Sequence, residues 1–500
     1  MIIKMQEQRS SYRQIVKATS LFGGVQFFQI LISVVRSKFV AILLGPSGMG
    51  IVGLLTSTTG LITGLTNFGL GTSAIKNISE ATATNDNARI SSVITVMRRL
   101  VWLTGLLGAI VTLVFSPWLS EFTFGNRDYT LAFIWISVTL LFNQLSTGEL
   151  VLLQSLRRLQ NLAKANVYGS FVGLLVTIPL YYKYGVEGIV PVIIITSLIT
   201  LFFSWYFAKK VKLEKTKVSY EETVSEGKSM MLMGFMISLS GLVTLIAAYL
   251  LRIFINRTGN VADVGLYSAG FTIINTYVGM IFTAMGTDYY PRLSVVSADD
   301  EKSKQLINQQ SEIALLILAP ILIAFIIFVN WAIIILYSTQ FLSVTGMVYW
   351  ATLGIFFKAV SWAIAFVFLA KGAGNLYFWN EFLGSVYFLL FSLLGYHYWG
   401  LNGLGISFLA SYVFYLIQVF IIARHKYRFS FSYSFIQIFA IQFFLAMLGF
   451  AMVNLVRQPY TYLFGILLIL VSGWYSYKEL ESRIGIKEIL DGVLSKFRKK

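Results

Sequence analysis

Seven ionisable residues within the apolar runs of this chain stand out as candidates, and their types set the chemistry open to it. Four are cations: Arg36, Lys38, Arg252 and Lys358. Three are acids: Glu149, Glu381 and Asp288. A charge deep in a bilayer costs at least about 2.5–3.5 kcal/mol on insertion scales, so each such residue is a functional candidate by default. Cations gathered in a hydrated cleft favour an anion, and phosphate groups pair well with Arg and Lys. The carboxylates could neutralise a cation or carry a coupling proton, with a proton affinity set by desolvation and neighbours. The plainer readings are snorkelling of the long cationic side chains and structural ion pairs for the acids. Nothing points to a catalytic or metal centre. There is no cysteine, the two histidines His397 and His425 sit at span ends, and no P-loop is present.

The elements that must hold these residues are membrane spans. The 500 residues are 57% hydrophobic and 12% charged, about half the charge of an ordinary globular chain. That balance excludes a soluble enzyme, a nucleic-acid module and a disordered scaffold. Runs of about 20 apolar residues, enough to cross a bilayer, predict fourteen helices. They fall near 15–43, 50–75, 93–116, 129–153, 164–183, 186–208, 231–257, 264–289, 309–331, 343–370, 376–396, 399–423, 434–455 and 459–477. The first run follows a polar start without a cleavage signal and reads as a retained helix. The stretch from Lys209 to Lys228 reads as a linker. Loop cations divide 31 to 4 between alternate connections, which predicts that both termini are cytoplasmic. The net charge of +17 then faces an anionic leaflet.

Sliding the sequence on itself gives one recurring offset of 215 residues. Gly50-Ile51 meets Gly265-Leu266, Gly71-Thr72 meets Gly286-Thr287, and Ser79 meets Ser294. Gly169-Ser170 meets Gly384-Ser385, and the run from Gly185 to Ile189 meets that from Gly400 to Leu404. Six spans therefore repeat as six more in the same orientation, a parallel repeat whose substrate path is expected between the lobes. The expected division is a first lobe (1–208), a linker (209–230), a second lobe (231–423) and two added helices with a tail (424–500). On this offset Arg252 falls on position 37, between Arg36 and Lys38. Gly60-x-x-x-Gly64 should permit close helix packing. Trp118, Trp331, Trp399 and Trp474 should anchor span ends. Ile486, Leu490, Val493 and Phe497 should form the apolar face of a surface helix.

Three stretches together resemble a known family. They are Leu-Gly45-Pro46-Ser-Gly48-Met-Gly50 after the first span, the Gly185–Gly188 element, and Leu336-Tyr-Ser-Thr-Gln-Phe341 before the tenth. Over residues 15–425 their order and spacing are similar to the Wzx-type O-antigen translocases, within the multidrug/oligosaccharidyl-lipid/polysaccharide exporter superfamily. The resemblance implies an all-α polytopic flippase in the bacterial inner membrane. It would move an undecaprenyl-pyrophosphate-linked oligosaccharide from the cytoplasmic to the periplasmic leaflet, without a cofactor. Lys38, Arg252, Lys358 and Glu381 match positions where the family carries basic, basic, basic and acidic residues; Arg36 and Glu149 have no such match. Fourteen spans in place of twelve blur the assignment to one branch.

The expected substrate site is Arg36, Lys38, Arg252 and Lys358 on the pyrophosphate. Glu149, Glu381 and Asp288 are expected to serve ion coupling or charge balance. Expected partners are the lipid-linked oligosaccharide, membrane lipids and polysaccharide assembly proteins, with no nucleic acid. Coupling to a proton or sodium gradient, or to neither, stays open. So do a lipid-linked peptidoglycan precursor flippase and a multidrug exporter, although organic cations would favour an acidic cleft. A membrane polymerase or ligase is disfavoured, because the outer loops are short and almost uncharged.

Overall fold

In a hydrocarbon layer every backbone donor and acceptor must be satisfied within the protein, and a helix does this locally. The computed structural model describes residues 2–84, 86–211, 216, 218–457 and 459–484. The proposed surface helix at Ile486–Phe497 lies outside them. The described residues form helices α1 (Ile2–Thr66), α2 (Leu70–Ala83), α3 (Asn87–Val114), α4 (Ser116–Phe124), α5 (Thr130–Ser155), α6 (Leu159–Tyr184), α7 (Ile189–Ala208) and α8 (Tyr220–Thr258). These are followed by α9 (Val261–Thr272), α10 (Gly279–Val296), α11 (Asp300–Leu336), α12 (Thr345–Ala370), α13 (Gly374–Tyr427), α14 (Tyr433–Leu455) and α15 (Tyr460–Ile484). Among the described residues, ten helical stretches are long and apolar enough to cross a membrane. Three of them, of 39, 50 and 54 residues, far exceed one crossing. Each is interrupted by a glycine of positive φ: Gly45 (φ 65), Gly185 (φ 53) and Gly400 (φ 55). A residue with Cβ would be strained there, so glycine lets one continuous helical run reverse direction.

The 215-residue offset recurs in the backbone. Gly185 (ψ −129) and Gly400 (ψ −138) share one conformation. The turn after α5 and the turn after α12 also match atom for atom. Arg158 N–H donates to the Leu153 carbonyl at 2.8 Å and Ala373 N–H to that of Phe368 at 2.8 Å. Arg157 N–H donates to Gln154 and Gly372 N–H to Leu369, both at 3.0 Å. These are paired Schellman caps that satisfy the last carbonyls of each helix.

The chain divides into two compact units, Met1–Gly265 with Leu336–Ser338, and Leu266–Ile335 with Thr339–Lys500. In the first, α2, α3, α5, α6 and α7 share a core that includes Ile78, Val96, Leu152 and Phe207. The helix α8 belongs to this unit. Its C-terminal end is tied by Asn256, which donates to the Thr123 carbonyl at 3.0 Å, and by Arg257, which donates to the Glu121 and Phe122 carbonyls at 2.9 Å. Its other end starts at Tyr220, inside the stretch expected to be a linker. Ser219 caps it by accepting the Glu222 N–H at 3.0 Å, the signature of Ser-x-x-Glu.

In the second unit α12 is apolar on nearly every side except at Lys358 and is buried over most of its surface, as such a helix must be. The helices α14 and α15 are joined by the buried amide of Gln442, which bonds Ser472 and Ser476. Ile327 of α11 fills the space over Gly465. The four tryptophans expected to anchor span ends are all more than half exposed. The expectation for Gly60-x-x-x-Gly64 holds only in part. A Cβ on Gly64 would meet Leu242 and Leu245 at 3.1 Å, but one on Gly60 would meet nothing within 4 Å. The spacing puts both glycines on one face, and only one of them lies under α8.

Candidate functional site

Each unit holds part of the set expected from the sequence. In the first, Arg36 lies nine residues before the Gly45 reversal of α1. Its Nη2 donates to the Ser170 carbonyl of α6 at 3.3 Å. Gly173, one turn further on α6, keeps this approach open, since a Cβ there would lie 3.3 Å from Nη2. Arg36 Nε is buried without a hydrogen-bond partner, and among the described residues Arg36 forms no ion pair. A carbonyl satisfies a donor and leaves the charge uncompensated. Lys38, two residues on, stands about 200° round the same helix, so it does not share Arg36's face. Arg252 is half-buried on α8, and its Nη1 donates to the Ala248 carbonyl one turn back at 3.2 Å.

Glu149 is engaged differently. Its carboxylate accepts from Arg98 Nη2 at 2.8 Å, joining α5 to α3. Beside it, Gly148 lets Val101 approach to 3.1 Å of where a Cβ would be. Arg98 reads from the sequence as a loop cation, and the tertiary fold makes it the partner of an intramembrane acid. Asp288 pairs with Arg292 one turn along α10 at 2.9 Å and is 72% exposed. Both acids therefore carry the structural ion pair weighed as their plainer reading.

In the second unit Lys358 sits at the middle of α12. Its Nζ is 3.4 Å from Asn275 Oδ1. Asn275 lies on a π-helical stretch, Ile273–Val278, between α9 and α10. Such wide turns recur at functional sites, because they re-aim side chains within a helix. Three rings surround the ammonium, with centroids at 5.8 Å (Phe282), 5.8 Å (Phe408) and 5.3 Å (Tyr412). Ring faces attract a cation without neutralising it. Among the described residues Lys358 forms no ion pair.

The network continues to Glu381. The rings of Tyr412 and Tyr415 are 6.3 Å apart, and the Tyr415 hydroxyl donates to Glu381. Asn380 Nδ2 donates to the Tyr415 hydroxyl at 2.8 Å, and Gln418 Nε2 to Asn380 Oδ1 at 2.7 Å. Lys358 and Glu381, picked separately from the sequence, thus stand at two ends of one aromatic and amide network. Residue charge alone does not find its middle. The missed signal is the presence of Asn275, Asn380 and Gln418 within apolar runs, where an amide is costly unless it is paired.

With this geometry in place, comparison with known proteins settles the family. A polysaccharide biosynthesis protein family model matches residues 39–345, more than half of the chain. The chain belongs to that family. No curated protein matches the chain in sequence. Solved structures share its fold. One is an inward-facing multidrug resistance transporter of the MATE family in the MOP superfamily. It is 18% identical, with a TM-score of 0.68 over 80% of this chain and 94% of its own. Another is the lipid II flippase MurJ in an inward closed conformation, 13% identical, with a TM-score of 0.64 over 93% of this chain and 99% of its own. A third is a MOP superfamily transporter from Pyrococcus furiosus described as having a binding pocket of reversed polarity. It is 17% identical, with a TM-score of 0.58 over 82% of this chain and 96% of its own.

Proposed function

We propose that this protein is a flippase for undecaprenyl-pyrophosphate-linked oligosaccharide, the repeat unit of an O-antigen or another surface polysaccharide. It carries the unit from the cytoplasmic to the periplasmic leaflet of the bacterial inner membrane by alternating access. The chain crosses fourteen times, with both termini cytoplasmic and two six-span lobes followed by two added helices. The observation that carries this reading is Lys358, a mid-span ammonium ringed by Phe282, Phe408, Tyr412 and Asn275, without an ion-pair partner among the described residues. Such a site is poised for an anion that arrives with the substrate. Pyrophosphate and sugars cannot cross about 30 Å of hydrocarbon unaided, and paired cations lower that barrier. Membership of a polysaccharide biosynthesis family supports a glycan on the lipid.

Arg36, Lys38, Arg252 and Lys358 are the residues assigned to the pyrophosphate. Glu381 is the acid best placed for coupling to a proton or sodium gradient, since Glu149 and Asp288 already face Arg98 and Arg292. The test is flipping of a lipid-linked oligosaccharide by the purified protein in vesicles. Lys358→Ala should insert normally and reduce flipping about 30- to 160-fold, the loss of a desolvated phosphate contact of about 2–3 kcal/mol. Lys358→Arg should retain more activity. Wild-type rates in both Lys358→Ala and Arg252→Ala would overturn the assignment. Lipid II and an organic cation, run as alternative cargo, separate the reading from its relatives' activities.

A further inference from the structure

The repeat supplies its own control for one surface. The turns after α5 and α12 have the same hydrogen bonds and the same backbone, yet they carry different charges. After α12 the residues are Lys371, Gly372 and Ala373. Glycine takes the left-handed position (φ 71), and Lys371 is neutralised by Asp300 at 2.7 Å. After α5 the residues are Leu156, Arg157 and Arg158. Here Arg157 takes the left-handed position (φ 53), where a Cβ is strained and glycine is the usual choice. Strain held in a turn that could carry glycine points to a use for the side chain.

Further cations gather at this end of the unit. Leu152, Leu153, Leu162, Ala165, Phe207 and Ala208 belong to one core cluster, with Leu156 and Val211 packed on it. The α5–α6 turn, the start of α6 and the end of α7 therefore emerge together. They present Arg157, Arg158, Lys164, Lys209 and Lys210, all exposed. Among the described residues none of the five forms an ion pair, whereas Arg89, Arg98, Arg292 and Lys371 each do. Their depth is also marked. Four of them flank the candidate spans Thr130–Ser155 and Leu159–Ala208, and Lys164 lies within the first two turns of the second. Lys209 Nζ lies 4.9 Å from the Trp205 ring centroid and Lys210 Nζ 4.4 Å from that of Tyr206. Trp205 and Tyr206 are exposed, as rings at the headgroup level are.

We propose that this patch is a binding site for the phosphate of an anionic phospholipid headgroup. Five cations without an ion pair among the described residues attract the charge, and the two Arg side chains at one turn can grip phosphate oxygens bidentately. The ring belt holds the cations at the plane of lipid phosphates, which favours a lipid over a soluble acidic protein.

The chain has no cysteine, so Gln160→Cys gives one labelling site beside the turn. The full-length protein, labelled there with a donor dye, is placed in phosphatidylcholine vesicles. These carry a trace of acceptor-labelled phosphatidylglycerol or acceptor-labelled phosphatidylcholine. Energy transfer should be several-fold greater to phosphatidylglycerol. Arg157→Gly with Arg158→Gln should lower that preference severalfold, and Lys164→Gln with Lys209→Gln should lower it further. Arg157→Gly alone should weaken lipid preference while raising the melting temperature, because it relieves the turn. Equal transfer to both lipids overturns the proposal. So does loss of the preference on adding inorganic phosphate, which would mark a soluble-anion site, or its loss on adding an acidic polypeptide. A lower melting temperature for Arg157→Gly would show that Arg157 serves the turn itself.

Discussion

Gly50 packs on Val261 and Gly265 packs on Pro46, two contacts that the repeat turns into one another. A Cβ built on Gly50 would overlap the carbonyl oxygen of Val261, and one built on Gly265 would overlap that of Pro46. Val261 stands 215 residues after Pro46, the same offset that relates the two glycines. The contact is thus reciprocal: backbone crosses backbone at one point, and each side supplies the same glycine.

Neither glycine can accept a methyl group without parting the two backbones. Gly50→Ala and Gly265→Ala should each lower stability by about 1–3 kcal/mol, the usual range for overpacking. Thermal melting of the purified protein checks this. The double variant should lose less than the sum, because one displacement relieves both overlaps.

Tyr412 should act on Lys358 through its ring. Tyr412→Phe keeps the ring and should flip lipid-linked oligosaccharide at close to the normal rate. Tyr412→Leu removes a cation–π contact of about 1 kcal/mol and should reduce flipping about fivefold. Equal activity in the Phe and Leu variants would show that the ring does not position the ammonium.

The three acids should separate functionally. Glu381→Gln should insert normally and lose any dependence of flipping on pH or sodium. Glu149→Gln should keep that dependence and melt earlier, because Arg98 loses its partner. Measuring initial flipping rates with and without an imposed ion gradient decides between the two roles. Ion dependence unchanged in Glu381→Gln would remove it from coupling.

Arg483 should hold α15 to the rest of the second unit. It reaches Glu312 on α11 at 3.2 Å, and also Glu479 and Ser434. The Glu312 side chain is only 10% exposed. Arg483→Ala strands that carboxylate and should destabilise by about 2–3 kcal/mol. Adding Glu312→Leu should recover much of the loss, which a melting experiment on both variants reads directly.

Topology can be read by thiol labelling in intact spheroplasts. Single cysteines at Asp128 and Gly259 should react with an impermeant reagent, and one at Glu301 should not. Glu301 suits this because it is exposed, whereas Asn308, two turns along the same helix, is not. The latter is 6% exposed and holds the loop before α14, donating to the Ser430 carbonyl and accepting the Ser432 N–H. A thiol there would be silent from either side. Labelling at Glu301 from outside would break the proposed orientation.

Composition and run length determined that this is an all-helical membrane protein, because a bilayer leaves the backbone few alternatives. Spacing determined the duplication, since Gly185 and Gly400 must be glycine wherever the chain reverses with φ near +55. Charge in apolar runs also brought Lys358 and Glu381 to notice. Tertiary structure alone decided what each charge faces. Arg98 and Glu149 are 51 positions apart, and no pattern along one helix pairs them. Asn275 and Tyr412 come from different helices and converge on Lys358 only when α12 is enclosed. The packing of α8 within the first unit likewise rests on Asn256 and Arg257 finding carbonyls of α4. The physical reason is one of range. Hydropathy and backbone strain act locally and can be read in sequence order, whereas a hydrogen bond or ion pair acts over about 3 Å and exists only after distant helices have packed.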